Sequence, residues 1–228
     1  MRPYGILILV FTFVTPASAK PVRFDFRDAG GRNIVHFVSD AAVEKTIGLS
    51  SSIAGWLELD PDRLSEGVKG EFDVDVRTFH TGVELRNDFL KDKFMGASEF
   101  PIATFTLSRV LNSSKTKLPD GVPVTMRVDG TLKAKGVTRA QAILVRVTYM
   151  KESEMTRQRL PGNLLKVAAN FDIDGIQYGA QIPESQKARF SRFIQVHVDA
   201  VGTDQPPLTL PPAPVEGPQP KPKENGKK

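Results

Sequence analysis

Apolar and polar side chains alternate with a period of two along most of this chain. Over residues 71–77, Phe72, Val74 and Val76 share one side, and Glu71, Asp73, Asp75 and Arg77 share the other. That is the pattern of a strand with one buried face. Over residues 123–133, Val124, Met126, Val128 and Leu132 oppose Thr125, Arg127, Asp129, Thr131 and Lys133. Ile143, Val145, Val147 and Tyr149 make one face of the next run. Leu165, Val167, Ala169, Phe171 and Ile173 line another, opposite Lys166, Asn170, Asp172 and Asp174. Residues 34–38, 45–59, 102–110 and 192–200 are further candidates. About eight one-sided strands and no long helix predict an antiparallel sandwich or barrel.

One stretch breaks the alternation. In TGVELRNDFLKDKFMGASEFPIATF, Thr81 and Glu84 have the spacing of a capping box, in which each side chain satisfies a backbone N–H at a helix start. Leu85 with Phe89, and Leu90 with Phe94, sit at i, i+4 and share a face. Gly96 is placed to end the helix, and Phe100-Pro101 imposes an extended start on the next strand. A helix this short does not stand alone, so its apolar face must lie on something.

Alternation does not separate a sandwich, filled by two interdigitating sheets, from a barrel, which is either filled or holds one small ligand. An outer-membrane barrel alternates in the opposite sense. Here the polar face is rich in Asp, Glu, Lys and Arg, and one Trp and three Tyr are too few for interfacial girdles. The expectation is a soluble eight-stranded antiparallel barrel with a short helix at one end.

Composition sharpens this picture mainly at the ends. Residues 1–19 read as a signal peptide: Arg2, a short apolar run over 6–14, then the small residues Ala17-Ser18-Ala19. The apolar run is too short to span a bilayer, so permanent membrane insertion is not expected. A periplasmic or secreted location follows as an expectation. Residues 202–228 hold roughly half of the 17 prolines without apolar periodicity, and read as a disordered Pro/Lys-rich tail. The domain between, residues 20–201, is about 180 residues long, enough for one all-β core. The chain has no Cys, so burial rather than disulfides must hold it, and thiol catalysis and thiolate metal sites are excluded. The net charge of +5 is modest, and no basic stripe with interleaved aromatics points to nucleic acid.

Three motifs, taken in order, resemble the YceI-like family. The first is Thr81-Gly82, Arg86-Asn87 with Leu90, then Phe100-Pro101-Ile102-Ala103-Thr104-Phe105. The second is Gly130-Thr131-Leu132 followed by Lys135-Gly136-Val137-Thr138-Arg139. The third is FDIDGIQYGAQI, from Phe171 to Ile182. The chain departs from the family pattern at its start, where GGRNIVHF replaces His-Ser-x-Ile-x-Phe, so no role of that early His carries over. Asp174-Gly175 stands where many members have a polar pair, and the proline-rich tail is an addition.

The resemblance implies a lipocalin-like barrel that binds a long-chain apolar small molecule, a polyisoprenoid or fatty-acyl compound, without a cofactor. The family often pairs, so a homodimer is an expectation of the same kind. Burying a chain yields about 0.8 kcal/mol per CH₂, so roughly ten carbons give ~8 kcal/mol gross, before the cost of association. The inward-facing candidates are Phe37, Leu57, Phe72, Val74, Phe105, Leu107, Met126, Val128, Val145, Tyr149 and Phe171, with Phe89, Leu90 and Phe94 closing one end from the helix. For each taken singly, a packed core residue is the favoured reading. Arg86, Asn87 and Asp88 either meet a head group or, the favoured reading, pin the helix and its loop.

Catalytic and metal signatures are weak. His36, His80 and His197 lack ligand spacing, Asp73 and Asp75 belong to the charged face, and Ser50-Ser51-Ser52 lacks a nucleophile elbow. What the resemblance implies, a carrier or sequestering protein, is the leading reading. An enzyme on a lipid-like substrate, with Tyr149 as its inward polar group, and a docking module with a filled barrel remain alternatives.

Overall fold

The computed structural model describes residues 21–64 and 67–206. The signal peptide and most of the tail expected from the sequence lie outside the described residues. Ten strands run in the order β1 (Val22–Asp25), β2 (Ile34–Asp40), β3 (Lys45–Ser50), β4 (Ile53–Leu59), β5 (Lys69–Asp75), β6 (Ile102–Ser113), β7 (Val124–Ala134), β8 (Val137–Met150), β9 (Leu164–Asp174) and β10 (Phe193–Thr203). Helix α1 (Glu84–Phe89) continues into a π-helical segment (Leu90–Met95), and α2 (Glu154–Arg157) is a single turn.

All pairings are antiparallel, in the order β1-β4-β5-β6-β7-β8-β9-β10-β2-β3, and a β1–β10 pairing closes the ring. One edge of β10 is shared: Ile194 to Asp199 face β2, and Thr203 faces Asp25 of β1. β1 and β2 are thus two pieces of one wall position, and β3 and β4 are two pieces of the next. Counted so, the barrel has eight positions and is a closed antiparallel barrel, one of the two architectures that alternation left open.

The run 45–59, expected as one strand, is broken at Ser51-Ser52. Ser50 Oγ accepts from the Ser52 N–H at 3.0 Å and lies 2.6 Å from Thr78 Oγ1, which turns the chain as it passes from β2 to β1 and β5 as neighbours. Strand β5 ends at Asp75, whose carboxylate accepts from the Arg77 N–H and side chain, so Val76 and Arg77 form a 3₁₀ turn instead of strand. β6 carries two register shifts, between Leu107 and Arg109 and between Val110 and Asn112; such bulges bend a long strand around a small barrel.

The inner face is apolar and the outer face polar. On β7, Val124, Met126, Val128 and Leu132 are buried, while Thr125, Arg127 and Lys133 are exposed. That sense of alternation suits a barrel in water, since charge on a lipid-facing wall is costly. Among the described residues, no helix is long and apolar enough to cross a membrane.

Large rings fit the narrow interior by lying over glycines. A Cβ on Gly48 would meet the Phe37 ring at 2.2 Å, and one on Gly55 would meet Phe72 at 2.6 Å, each glycine being the cross-strand partner of its ring. The last strand passes the expected domain end at residue 201. β10 runs through Thr203, because Gly202 lies against the Phe26 ring and the Thr203 hydroxyl donates to the Pro161 carbonyl.

Candidate ligand cavity

The interior contains two apolar clusters, one toward each end. The first is built around Phe24, Phe26, Leu59, Leu64, Val124 and Leu165, and the second around Phe37, Phe79, Leu90, Phe190 and Ile194. The loops after β4 and β6 cross the first end, joined by backbone bonds from Leu64 N–H to Thr116 O at 3.0 Å and from Leu118 N–H to Pro61 O at 2.7 Å. A cavity of about 250 Å³ is lined by residues of both clusters, from Leu64 and Val68 to Phe94 and Tyr178. This is slightly below the ~300–1,000 Å³ of small-molecule sites. Its wall is apolar apart from Ser39, Lys135 and Tyr178.

Twelve of the predicted residues lie in that wall: Phe37, Leu57, Phe72, Val74, Leu90, Phe94, Phe105, Leu107, Met126, Val128, Val145 and Phe171. Two do not. Phe89 stacks on Phe190 with centroids 4.9 Å apart, behind the second cluster. Tyr149 sits at the first end, edge-on to Phe24 at 6.2 Å. Burial, with the nearby charges of Asp204, Asp120 and Asp62, pushes its phenol up. Tyr149 is therefore not the polar group inside the cavity. The missed polar group is Tyr178, which lies in a 3₁₀ turn over residues 175–178 where no periodicity marks it.

The lid over the second end differs from the expected capped helix. Thr81 does not cap α1; the N-cap is Val83, without a side-chain bond. Instead Asn87, itself buried, accepts from the Thr81 N–H and hydroxyl, both at 2.8 Å. Leu90 and Phe94, in the π-helical segment, face the cavity, whereas Leu85, in the α-helical turn before it, is 85% exposed. Gly96 closes the segment in the left-handed region (φ 63°), as anticipated. Arg86 pairs with Glu44 of the β2–β3 turn at 2.6 Å and donates to Thr81 Oγ1 and O, both at 3.0 Å. Arg189 reaches the same Glu44 at 3.3 Å. These contacts pin the lid to the wall, as favoured for Arg86 and Asn87; Asp88 is exposed.

The charged groups outside the cavity are structural in character. Asp73 accepts from Thr104 Oγ1 at 2.6 Å and Asp75 pairs with Arg77, both on the exterior. Strand pairing stacks His36 on His197 with centroids 4.6 Å apart, a contact invisible in the sequence spacing. Burial and the neighbouring His197 push His36 down, against the pull of Asp199. No group of three or more metal-ligating side chains occurs among the described residues.

Fold and cavity together define a closed antiparallel barrel enclosing an apolar space. The chain belongs to the YceI-like domain family, whose model matches residues 23–202. Among solved structures it is similar to Burkholderia cenocepacia BcnA (20% identity, 75% of this chain and 97% of that one, TM-score 0.56). It is also similar to a polyisoprenoid binding domain from Saccharophagus degradans implicated in plant cell wall breakdown (16%, 81% and 99%, TM-score 0.61). A third is the Campylobacter jejuni YCEI protein (15%, 88% and 97%, TM-score 0.51). At these identities the likeness is one of fold. No curated protein matches the sequence.

Proposed function

We propose that this protein is an exported binding protein that carries or sequesters one long apolar molecule, of polyisoprenoid or fatty-acyl type, inside its barrel. The observation that carries the reading is the apolar cavity running through both clusters. Membership of the YceI-like family and the polyisoprenoid-binding neighbour support it, and the small residues at Ala17-Ser18-Ala19 support export to the periplasm or beyond. A chain threaded along the cavity replaces water contact with contacts to wall side chains, at about 0.8 kcal/mol per CH₂. Association costs at least about 4 kcal/mol, so the gain favours long chains over short ones. The cavity volume implies that partly buried rings such as Phe72, Phe105 and Phe171 shift to admit a full-length chain.

The test is fluorescence titration with the neutral apolar probe N-phenyl-1-naphthylamine, followed by displacement with alkyl chains of increasing length. Saturable binding and tighter displacement by longer chains are expected. Ala169→Phe, which adds a ring to the cavity wall, should abolish binding while the β circular-dichroism signal persists. Undiminished binding by that variant would move the ligand out of the barrel.

A further inference from the structure

Among the described residues, two buried side-chain atoms lack a hydrogen-bond partner, the hydroxyls of Thr46 and Tyr178. Thr46 is not in the cavity wall; Tyr178 is, and it is 6% exposed. Of the other two polar side chains of the wall, Ser39 is satisfied and Lys135 has spent two of its three ammonium donors. Ser39 Oγ accepts from the Ser191 N–H at 2.9 Å, and Lys135 Nζ donates to the carbonyls of Lys93 and Phe94 at 3.1 and 3.2 Å. A buried hydroxyl without a partner costs about 1–3 kcal/mol, so an unpaired phenol in a cavity wall asks for an acceptor from outside the chain.

The surroundings of Tyr178 define that acceptor. The Lys135-Gly136 turn between β7 and β8 reaches the same corner. Lys135 is the one non-glycine residue with positive φ (47°) among the described residues, a conformation that Asn or Gly adopts more readily in such a turn. Phe94 joins the two sides of the corner: its carbonyl takes the Lys135 ammonium, and a Cβ on Gly175, which begins the Tyr178 turn, would meet its ring at 2.8 Å. Arg139, cross-strand partner of the wall residue Leu132, donates from Nε to the Gln177 carbonyl at 2.8 Å. Neither Lys135 nor Arg139 has a carboxylate partner among the described ion pairs. One cation in the wall, Lys135, a second at its exposed rim, Arg139, and an unspent hydroxyl donor therefore gather at one corner of an otherwise apolar cavity.

We propose that Tyr178, Lys135 and Arg139 form a head-group site that selects amphiphiles ending in an anionic oxygen group, a carboxylate or a phosphate, with the tail in the cavity. The proposal rests on the carrier reading and adds the polarity and orientation of the ligand: tail toward Met126 and Leu107, head under the lid. Hydrogen bonds to a charged acceptor are stronger than neutral ones, so charge at the head, not tail length alone, sets affinity.

The experiment displaces N-phenyl-1-naphthylamine from the full chain at pH 7 with three ligands of one tail length: dodecanoate, dodecyl phosphate and dodecanol. Either anion or both should displace the probe at about tenfold lower concentration than the alcohol, a difference of about 1.4 kcal/mol, and the tighter of the two names the head. Lys135→Asn suits the turn and Tyr178→Phe keeps the ring; each should weaken displacement by the anions severalfold more than displacement by dodecanol. Equal displacement by all three ligands would overturn the head-group site while leaving the barrel carrier standing. So would variants that weaken the alcohol as much as the anions. Displacement by none of them would remove both readings together.

Discussion

At the loop-crossed end of the barrel Phe24, Phe26, Leu59 and Leu165 have no exposure, whereas at the helix-capped end Phe89, Phe94, Met95 and Ile182 all remain partly exposed. The first end is also bolted by polar contacts. Asn33, 1% exposed, donates to the Phe26 carbonyl at 2.8 Å and accepts from the Val201 N–H and Arg159, both at 2.9 Å. Asp28 beside it pairs with Arg32 and Arg159, each at 2.9 Å. The second end has a lid held mainly by Arg86, Glu44 and Asn87 at its rim. Dense packing with paired polar groups resists opening; partly buried rings under a pinned short helix yield first. We read the first end as the floor of the barrel and the second as its mouth.

Substitutions can break this contrast. Phe24→Ala, at the floor, should destabilise the protein by about 3–5 kcal/mol, whereas Phe94→Ala, at the mouth, should cost about 1 kcal/mol and weaken probe binding. Denaturant unfolding of the pair measures the difference, and equal losses would erase the floor–mouth distinction. Asn33→Ala should cost about 1–3 kcal/mol, because it strands a buried carbonyl and N–H; the same unfolding assay reads it.

Asp28 makes a smaller, pH-dependent contribution. Burial alone would push its carboxyl up, but hydrogen bonds from Arg32 and from the Gly30 and Arg32 N–H groups, with the charge of Arg159, outweigh this and lower it to about 2. A folded-state pKa below the unfolded one stabilises at higher pH, so this contribution is complete above about pH 4. It is lost as pH falls toward 2. Asp28→Asn should flatten the stability profile in that window and lower stability at neutral pH, measured by unfolding at a series of pH values. Leu85→Ala comes last: this side chain lies in solvent, and a change within about 0.5 kcal/mol is expected in a melting curve.

The walls were legible in the sequence because a strand with one wet face writes its own period. The short β1 was not: four residues, VRFD, cut off by the loop that Asn33 anchors, are too few to show alternation. The break at Ser51-Ser52 depends on a change of neighbouring strands, which local sequence does not record. Thr81 and Glu84 have the right spacing for a capping box, yet the buried Asn87 takes Thr81 for itself. A tertiary contact thus overrides a local motif. Wall residues such as Met126 and Val128 followed from their strand, but Tyr178 and Lys135 sit in turns, outside any periodicity. The Lys-Gly pair at 135–136 was the available signal, since a non-glycine in that turn position needs a reason.

The most direct measurement is native mass spectrometry of the protein purified from its own host, with organic extraction of whatever it holds. The account predicts one bound amphiphile per chain, releasing an acyl or prenyl tail, and loss of that adduct in Ala169→Phe. A clean mass from the host, together with no probe binding in solution, would contradict it and make the barrel a filled one.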